Sequence, residues 1–409
     1  MTARGVPFGR YRLLERLGVG GMAIVYRAVV NGPKNFSRTL VIKRVIPHLA
    51  HDPSFVTMLA AEARLAGLLL HPNIVQVHEF GDVDGEYYLA MELVDGFDLN
   101  TILRQARQLN HAPPQGLLCY MMSELAGALA YAHSLVDEDG QHLEIVHRDV
   151  TPSNVMVTRH GNLKLVDFGI AKASTHAREE RTRTGTLKGK LSYMSPEQIQ
   201  GLAIDGRTDI FALGVVFYEC LTLRRLFKAD TDAQTIRNVC DVEIMRPSMY
   251  TPGIDAELEQ VVMRMLARDT AVRYQHADEI VAALAPIARR LGGGDAAGLR
   301  QFMDGLQLPS RAAKPLSHSD AFLKSIPDLE LEPDGSQGSR AYIKGELVES
   351  AAILLPPSGW RKRLPVIGGA AVGALVAMAI LLGRGALHST PDQNVAAVAA
   401  PAHAAPTAT

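Results

Sequence analysis

The residues best suited to chemistry lie in His147-Arg148-Asp149-Val150-Thr151-Pro152-Ser153-Asn154 and, a short way on, in Asp167-Phe168-Gly169. Asp149, Asn154 and Asp167 carry oxygens that can take a proton or hold a metal ion, and their spacing is the strongest signal in the chain. Upstream, Val41-Ile42-Lys43 sets an ammonium inside an apolar run, and Gly18-Val19-Gly20-Gly21-Met22-Ala23-Ile24-Val25 is glycine-rich. Glycines between strands let backbone N–H groups approach phosphate oxygens closely. Each feature also has a plain structural reading. A Gly-rich hairpin is commonly just a turn. A strand Lys can snorkel from an edge. Glu62, on a helical pattern after Lys43, can be a solvated face residue.

The elements that must position these residues change character along the chain. Strand-like runs cover Leu13 to Leu17, Ala23 to Val29 and Thr39 to Val45, then a helical pattern runs from Ser54 to Leu70. Two more strand-like runs, Val75 to Phe80 and Glu86 to Leu93, follow. From residue 99 helical spacing dominates, as in Leu117 to His133, Asp209 to Leu221 and Leu258 to Leu266. A sheet-rich part followed by a helix-rich part predicts two lobes.

Over about residues 11 to 290 the chain resembles eukaryotic-like bacterial Ser/Thr protein kinases, on the glycine loop, Lys43, the His-Arg-Asp segment and Asp-Phe-Gly. The resemblance implies an α+β, two-lobed fold with a β-rich N-lobe and a helical C-lobe. It implies that ATP binds at Leu17, Gly18, Val19, Gly20, Gly21, Val25, Lys43, Glu62, Met91 and Leu93, with Met91 to Leu93 as the adenine hinge. Lys43 and Glu62 would form an ion pair, Asp149 would be the catalytic base, and Asn154 and Asp167 would hold Mg²⁺ or Mn²⁺. Ser195-Pro196-Glu197 stands where the family has Ala-Pro-Glu, implying a Glu197–Arg273 pair, and Asp209 would support the catalytic loop. The reaction implied is transfer of a phosphoryl group from ATP to Ser or Thr of proteins. Pro152 fits the Ser/Thr-type loop.

The sequence departs from the family pattern at informative places. Ala23 replaces the third loop glycine. Thr151 stands where a lysine usually reaches the γ-phosphate, and Lys190 stands where that lysine's threonine partner usually lies. The reading adopted is a swap, with Lys190 as the catalytic cation; two independent losses and a weak or dead kinase is the other. Arg148 before the catalytic Asp implies activation-loop phosphorylation, and Thr182, Thr184 and Thr186 lie beside Arg181 and Arg183. A pseudokinase scaffold binding nucleotide and partner proteins is the competing function, and a small-molecule kinase a weaker one.

The balance of 42 Lys+Arg against 43 Asp+Glu gives no case for nucleic acid as partner. Three cysteines without a CxxC pair give no disulfide framework or zinc site and fit a reducing cytoplasm. The N-terminus lacks the apolar core of a signal peptide. Residues 291 to 360, with Gly292-Gly293-Gly294 and acidic Asp328, Glu330, Glu332 and Asp334, read as a flexible juxtamembrane linker. Phe322, Leu323 and Ile326 are candidates for a short docking helix within it. Residues 364 to 383 carry no charge and have the length of a membrane span. Arg361-Lys362-Arg363 before it and Arg384 after it place the kinase in the cytoplasm and the Ala/Pro-rich tail, 384 to 409, outside. Gly369 and Gly373 offer a GxxxG face, so a homodimer through this helix or through the kinase domain is an open alternative.

Overall fold

A computed structural model describes residues 5–34, 36–168 and 190–309, together with three short strands between 329 and 347. Two units separate, residues 1–327 and 328–409.

The first unit begins with a six-stranded antiparallel sheet of order β1-β2-β3-β4-β6-β5. Its strands are β1 (Val6–Phe8), β2 (Tyr11–Val19), β3 (Ala23–Asn31), β4 (Ser37–Val45), β5 (Val77–Val83) and β6 (Glu86–Met91). The sequence signals place all but β1, and the observed strands run a few residues longer or shorter than the apolar runs. Strand β6 stops at Met91, so Leu93 falls beyond it. The helix Pro53–Leu68 starts where the Asp52 carboxylate accepts from Ser54 N at 2.8 Å and Phe55 N at 3.4 Å. It buries Phe55, Leu59 and Ala63, one turn apart, against Val45, Ile46 and Leu89. That stripe fixes which way the neighbouring Glu62 lies.

The helical lobe is built on Arg207–Thr222, in which every residue from Thr208 to Thr222 is buried. A helix this apolar all round has to sit at the centre of a lobe. Around it lie Leu99–Gln108, Gln115–His133, Ala256–Met265 and Asp278–Arg290, which share its core. A small sheet, β7 (Gly96–Asp98), β8 (Val155–Thr158) and β9 (Leu163–Leu165), is ordered β7-β8-β9; β8 starts directly after Asn154 and β9 ends two residues before Asp167.

The folded body does not end at residue 290, and the first part of the expected linker is structured. Gly292 (φ +82°) and Gly293 (φ +67°) cap Asp278–Arg290, with Gly293 N–H bonded to Ala288 O at 2.7 Å in a Schellman arrangement. A Cβ on Gly294 would lie 2.7 Å from Leu117 Cα, so this glycine permits close packing and is not a flexible joint. The chain then forms the helix Ala296–Asp304, capped by Asp295, which buries Leu299, Phe302 and Met303. Gly161 receives this helix at a spot where a Cβ would fall 1.8 Å from Ala296 O. Three glycines and a short apolar stripe therefore signal a docked helix.

The second unit is described only as an antiparallel meander of β10 (Leu329–Asp334), β11 (Gly338–Ile343) and β12 (Glu346–Leu347), also within the expected linker. The docking candidate at 322–326, the apolar segment 364–383 with its flanking charges, and the tail lie outside the described residues. Among the described residues no helix is long and apolar enough to cross a membrane.

The helix Ala296–Asp304 is expected to contribute to the stability of the whole helical lobe. Phe302, stacked on His111 with ring centroids 5.4 Å apart, is 7% exposed. Phe302→Ala should cost about 3–5 kcal/mol in chemical denaturation, and ending the chain at residue 290 should lower Tm. An unchanged midpoint in both variants would show the helix to be dispensable.

Candidate active site

The sheet register brings the glycine loop and Lys43 to one face. Gly18 pairs with Val25, Val25 with Lys43, and Lys43 with Leu89, so the four lie in one row across β2, β3, β4 and β6. A slip of one residue would turn Lys43 to the other side of the sheet. Leu17 is the extra residue of a bulge between the Arg16 and Gly18 pairs. The turn is closed by Gly20 N–H to Ala23 O at 2.8 Å, and beyond its chain neighbours no described atom lies within 4 Å of a Cβ built on Gly18. Ala23 opens β3, paired with Val45 and buried, so its methyl fits where the family has glycine.

Lys43 Nζ donates to Asp167 Oδ1 at 2.8 Å. Burial works against the ammonium, but Asp167, with Glu62 and Asp149 nearby, outweighs it and holds Lys43 above the ordinary lysine value. Lys43, Glu62, Met91, Asp167 and Phe168 line one small cavity, whereas Leu17, Val19, Gly20, Gly21 and Leu93 do not form its wall. Val19 is exposed. In the expected hinge, Glu92 N–H is committed to Gln76 O at 2.9 Å, and its carboxylate takes Lys164 at 2.7 Å.

Across the cleft, Asp149 is 8% exposed and its carboxylate is crowded with donors. Asn154 Nδ2 donates to Asp149 O and to Oδ2, both at 2.9 Å. Lys190 Nζ donates to the same Oδ2 at 2.9 Å. Thr151 is buried, and its carbonyl accepts from Asn154 N–H at 2.9 Å in the turn Pro152–Asn154. Both side-chain bonds of Asn154 use Nδ2, which leaves the amide Oδ1 as the group suited to a cation. A carboxylate from Asp167 and an amide oxygen from Asn154 are hard donors. They fit Mg²⁺ held jointly with water and nucleotide phosphates.

Two backbone conformations here are uncommon for residues with side chains. Arg148 has φ +62° and Asp167 φ +58°. Asp209, fully buried in the first turn of Arg207–Thr222, holds the first in place. Its carboxylate accepts His147 N–H at 2.7 Å, Arg148 N–H at 2.8 Å and His133 Nε2 at 2.9 Å. His147 in turn packs against Phe168 in a tilted ring contact, with centroids 4.3 Å apart. His133, at the end of its helix, carries no motif that could have marked it. Gln198, which caps Arg148 O at 3.3 Å, is equally silent in sequence.

Glu197 and Arg273 form a buried forked pair, at 2.7 Å between Oε1 and Nη1 and 3.3 Å between Oε2 and Nη2. Arg273 is fully buried and also donates to the Arg207 and Ala267 carbonyls. Burial alone would raise the Glu197 carboxyl, but the Arg273 guanidinium holds it below the ordinary range. Because the folded value is depressed, its stabilisation is full above the ordinary glutamate value of 4.5 and is lost as pH falls through the lower folded value. Arg273→Met should cost about 3–5 kcal/mol by stranding a buried carboxylate. Stability of this variant should also fall less steeply than wild type below pH 4.5. Parallel acid-denaturation curves would refute that assignment.

The model for the protein kinase domain matches residues 11–283. A tyrosine-protein kinase, MasK of Myxococcus xanthus, is 41% identical over 300 residues, covering 73% of this chain and 46% of its own. The serine/threonine-protein kinase PknH of Mycobacterium bovis is 32% identical over 393 residues, covering 91% of this chain and 63% of its own. The chain thus spans about half to two thirds of the length of these relatives. The crystal structure of the Mycobacterium tuberculosis PknI kinase domain superposes with a TM-score of 0.53 at 29% identity, covering 71% of this chain and all of that one. On the family model, the identity to these relatives and the two-lobed fold, this chain belongs to the protein kinase family.

Proposed function

We propose that this protein transfers the γ-phosphoryl group of ATP to Ser or Thr hydroxyls of proteins. The observation that carries this reading is the meeting of Asp149, Asn154 and Lys190 on one carboxylate, with Lys43 and Asp167 paired across the cleft. ATP with Mg²⁺ would supply the phosphoryl group and counter-charge. Asn154 Oδ1 and the Asp167 carboxylate would hold the ion, and Lys43 the phosphate oxygens next to it. Asp149 orients the acceptor hydroxyl and takes its proton on the carboxylate. Lys190, already beside that carboxylate, supplies the cation that Thr151 cannot, which supports the swap. A pseudokinase scaffold would need none of this convergence.

Tyrosine as the acceptor is the second reading, favoured by the printed name of MasK. Pro152 at the head of the turn before Asn154, and the names of the other relatives, favour Ser and Thr. Phosphoamino-acid analysis of a labelled substrate separates the two.

Regulation and location extend the proposal. The Arg148 Nε is buried and has no hydrogen-bond partner among the described residues, which suits it to a phosphate on Thr182, Thr184 or Thr186. Those threonines lie outside the described residues. The charge-free segment 364–383, with basic residues before it, supports a single membrane span with the kinase on the cytoplasmic side. Cell fractionation of the full chain and of one ending before residue 360 tests that location.

Asp149→Asn should abolish labelling by ATP and Mg²⁺. Lys190→Ala should lower kcat about 100-fold with little change in the KM for ATP. The pair Thr151→Lys with Lys190→Thr should recover much of that loss. An unchanged kcat in Lys190→Ala would sink the swap, and equal labelling of wild type and Asp149→Asn would refute intrinsic activity.

A further inference from the structure

Outside the cleft, the helical lobe contains a pocket of about 530 Å³ between the ends of Leu99–Gln108 and Arg207–Thr222 and the segment 242–250. Arg107, Arg224 and Arg225 all line it. The Arg107 guanidinium donates through Nε to Leu223 O at 2.5 Å, but its Nη2 is buried and has no hydrogen-bond partner among the described residues. Leu223 adopts φ +52°, a left-handed conformation costly for a branched side chain, and this turn leads into Arg224 and Arg225. Arg225 is tied to Glu219 at 3.0 Å and to Asn100 Oδ1 at 2.6 Å. It lies below the ordinary arginine range, first through burial and then through repulsion by Arg107. Two carboxylates, buried Glu219 and exposed Glu243, face three guanidinium groups. The site therefore keeps an excess of positive charge and an unmet donor, the conditions under which a carboxylate or phosphate binds arginine best.

The surface beside the pocket indicates what carries that anion. Val242, Met245, Met249 and Tyr250 are 45%, 43%, 67% and 43% exposed and lie along one short segment. Exposed apolar side chains clustered in this way mark a protein-binding surface and would add nothing to the binding of a free anion. Hydrogen bonds tie the pocket to the turn that follows Lys190. The Tyr193 hydroxyl donates to Glu219 Oε2 at 2.9 Å and accepts from Arg225, and Tyr193 lies in the turn that begins at Lys190.

We propose that the pocket is a docking site for an acidic segment of a protein substrate. A carboxylate or phosphate of that segment binds at Arg107 and Arg224, and its apolar side chains cover Met245, Met249 and Tyr250. The proposal rests on the kinase reading and adds to it the chemistry of the preferred substrate.

The test uses the full chain and a set of otherwise identical acceptor peptides in which one Glu is walked through positions held by Gln. At one or more positions Glu should raise kcat/KM about tenfold through KM, the scale of one charge-assisted hydrogen bond. Arg224 is exposed, so Arg224→Glu should fold normally, keep wild-type rates on the all-Gln peptide and lose the preference. Met249→Asp should weaken binding of the same Glu peptide. Fluorescence anisotropy without ATP measures that binding directly, so a chain that transfers no phosphate would refute the kinase reading while still deciding the docking site. A flat response across the Glu set, or a preference that survives Arg224→Glu, would overturn the proposal. So would thermal stabilisation by inorganic phosphate in wild type but not in Arg224→Glu when no peptide position responds, since that marks a free-anion site only.

Discussion

A carboxylate with no access to water must be satisfied by protein donors, and in this molecule that requirement organises the catalytic loop. Asp209 is fully buried and takes the backbone N–H groups of His147 and Arg148 along with the His133 ring. Hydrogen bonds to a charged acceptor are worth about 1.5–3 kcal/mol each, enough to hold Arg148 in its left-handed conformation. Since Asp209 belongs to the helix Arg207–Thr222, buried from Thr208 onward, the loop bearing Asp149 is referenced to the core of the lobe. The same helix end anchors Arg273 through the Arg207 carbonyl, and through it Glu197.

The opposite wall of the cleft is positioned by another kind of constraint. Antiparallel pairing sets Gly18, Val25, Lys43 and Leu89 in one row, so the position of the Lys43 ammonium depends on strand register. The helix Pro53–Leu68 keeps its place through Phe55, Leu59 and Ala63, and Glu62 follows from that stripe. Asp167, strained at φ +58°, joins the two walls by pairing with Lys43.

Charge position around Asp149 is determined by space and not by chain order. The ammonium that reaches its carboxylate comes from Lys190, at the end of the segment that follows Asp167, while the buried Thr151 occupies the nearer position in sequence. A cation can be supplied from either side of a cleft so long as it arrives within hydrogen-bond distance of the same oxygen.

The sequence by itself determined the family, the two lobes and the chemistry-bearing residues, because Asp149, Asn154, Asp167 and Lys43 lie in contiguous motifs whose spacing is local. It also carried the expectation that Lys190 and Thr151 had exchanged places, since both departures stand in recognisable segments. Tertiary structure alone decided the partners that no local pattern marks. These include His133 on Asp209, Gln198 on Arg148 and the arginine pocket around Arg107, each assembled from residues far apart in the chain. The glycine run at 292–294 shows the limit most clearly. Flexibility and close packing ask for the same residue, and only the backbone of Leu117, 2.7 Å from where a Cβ of Gly294 would lie, distinguishes a tight cap from a loose linker.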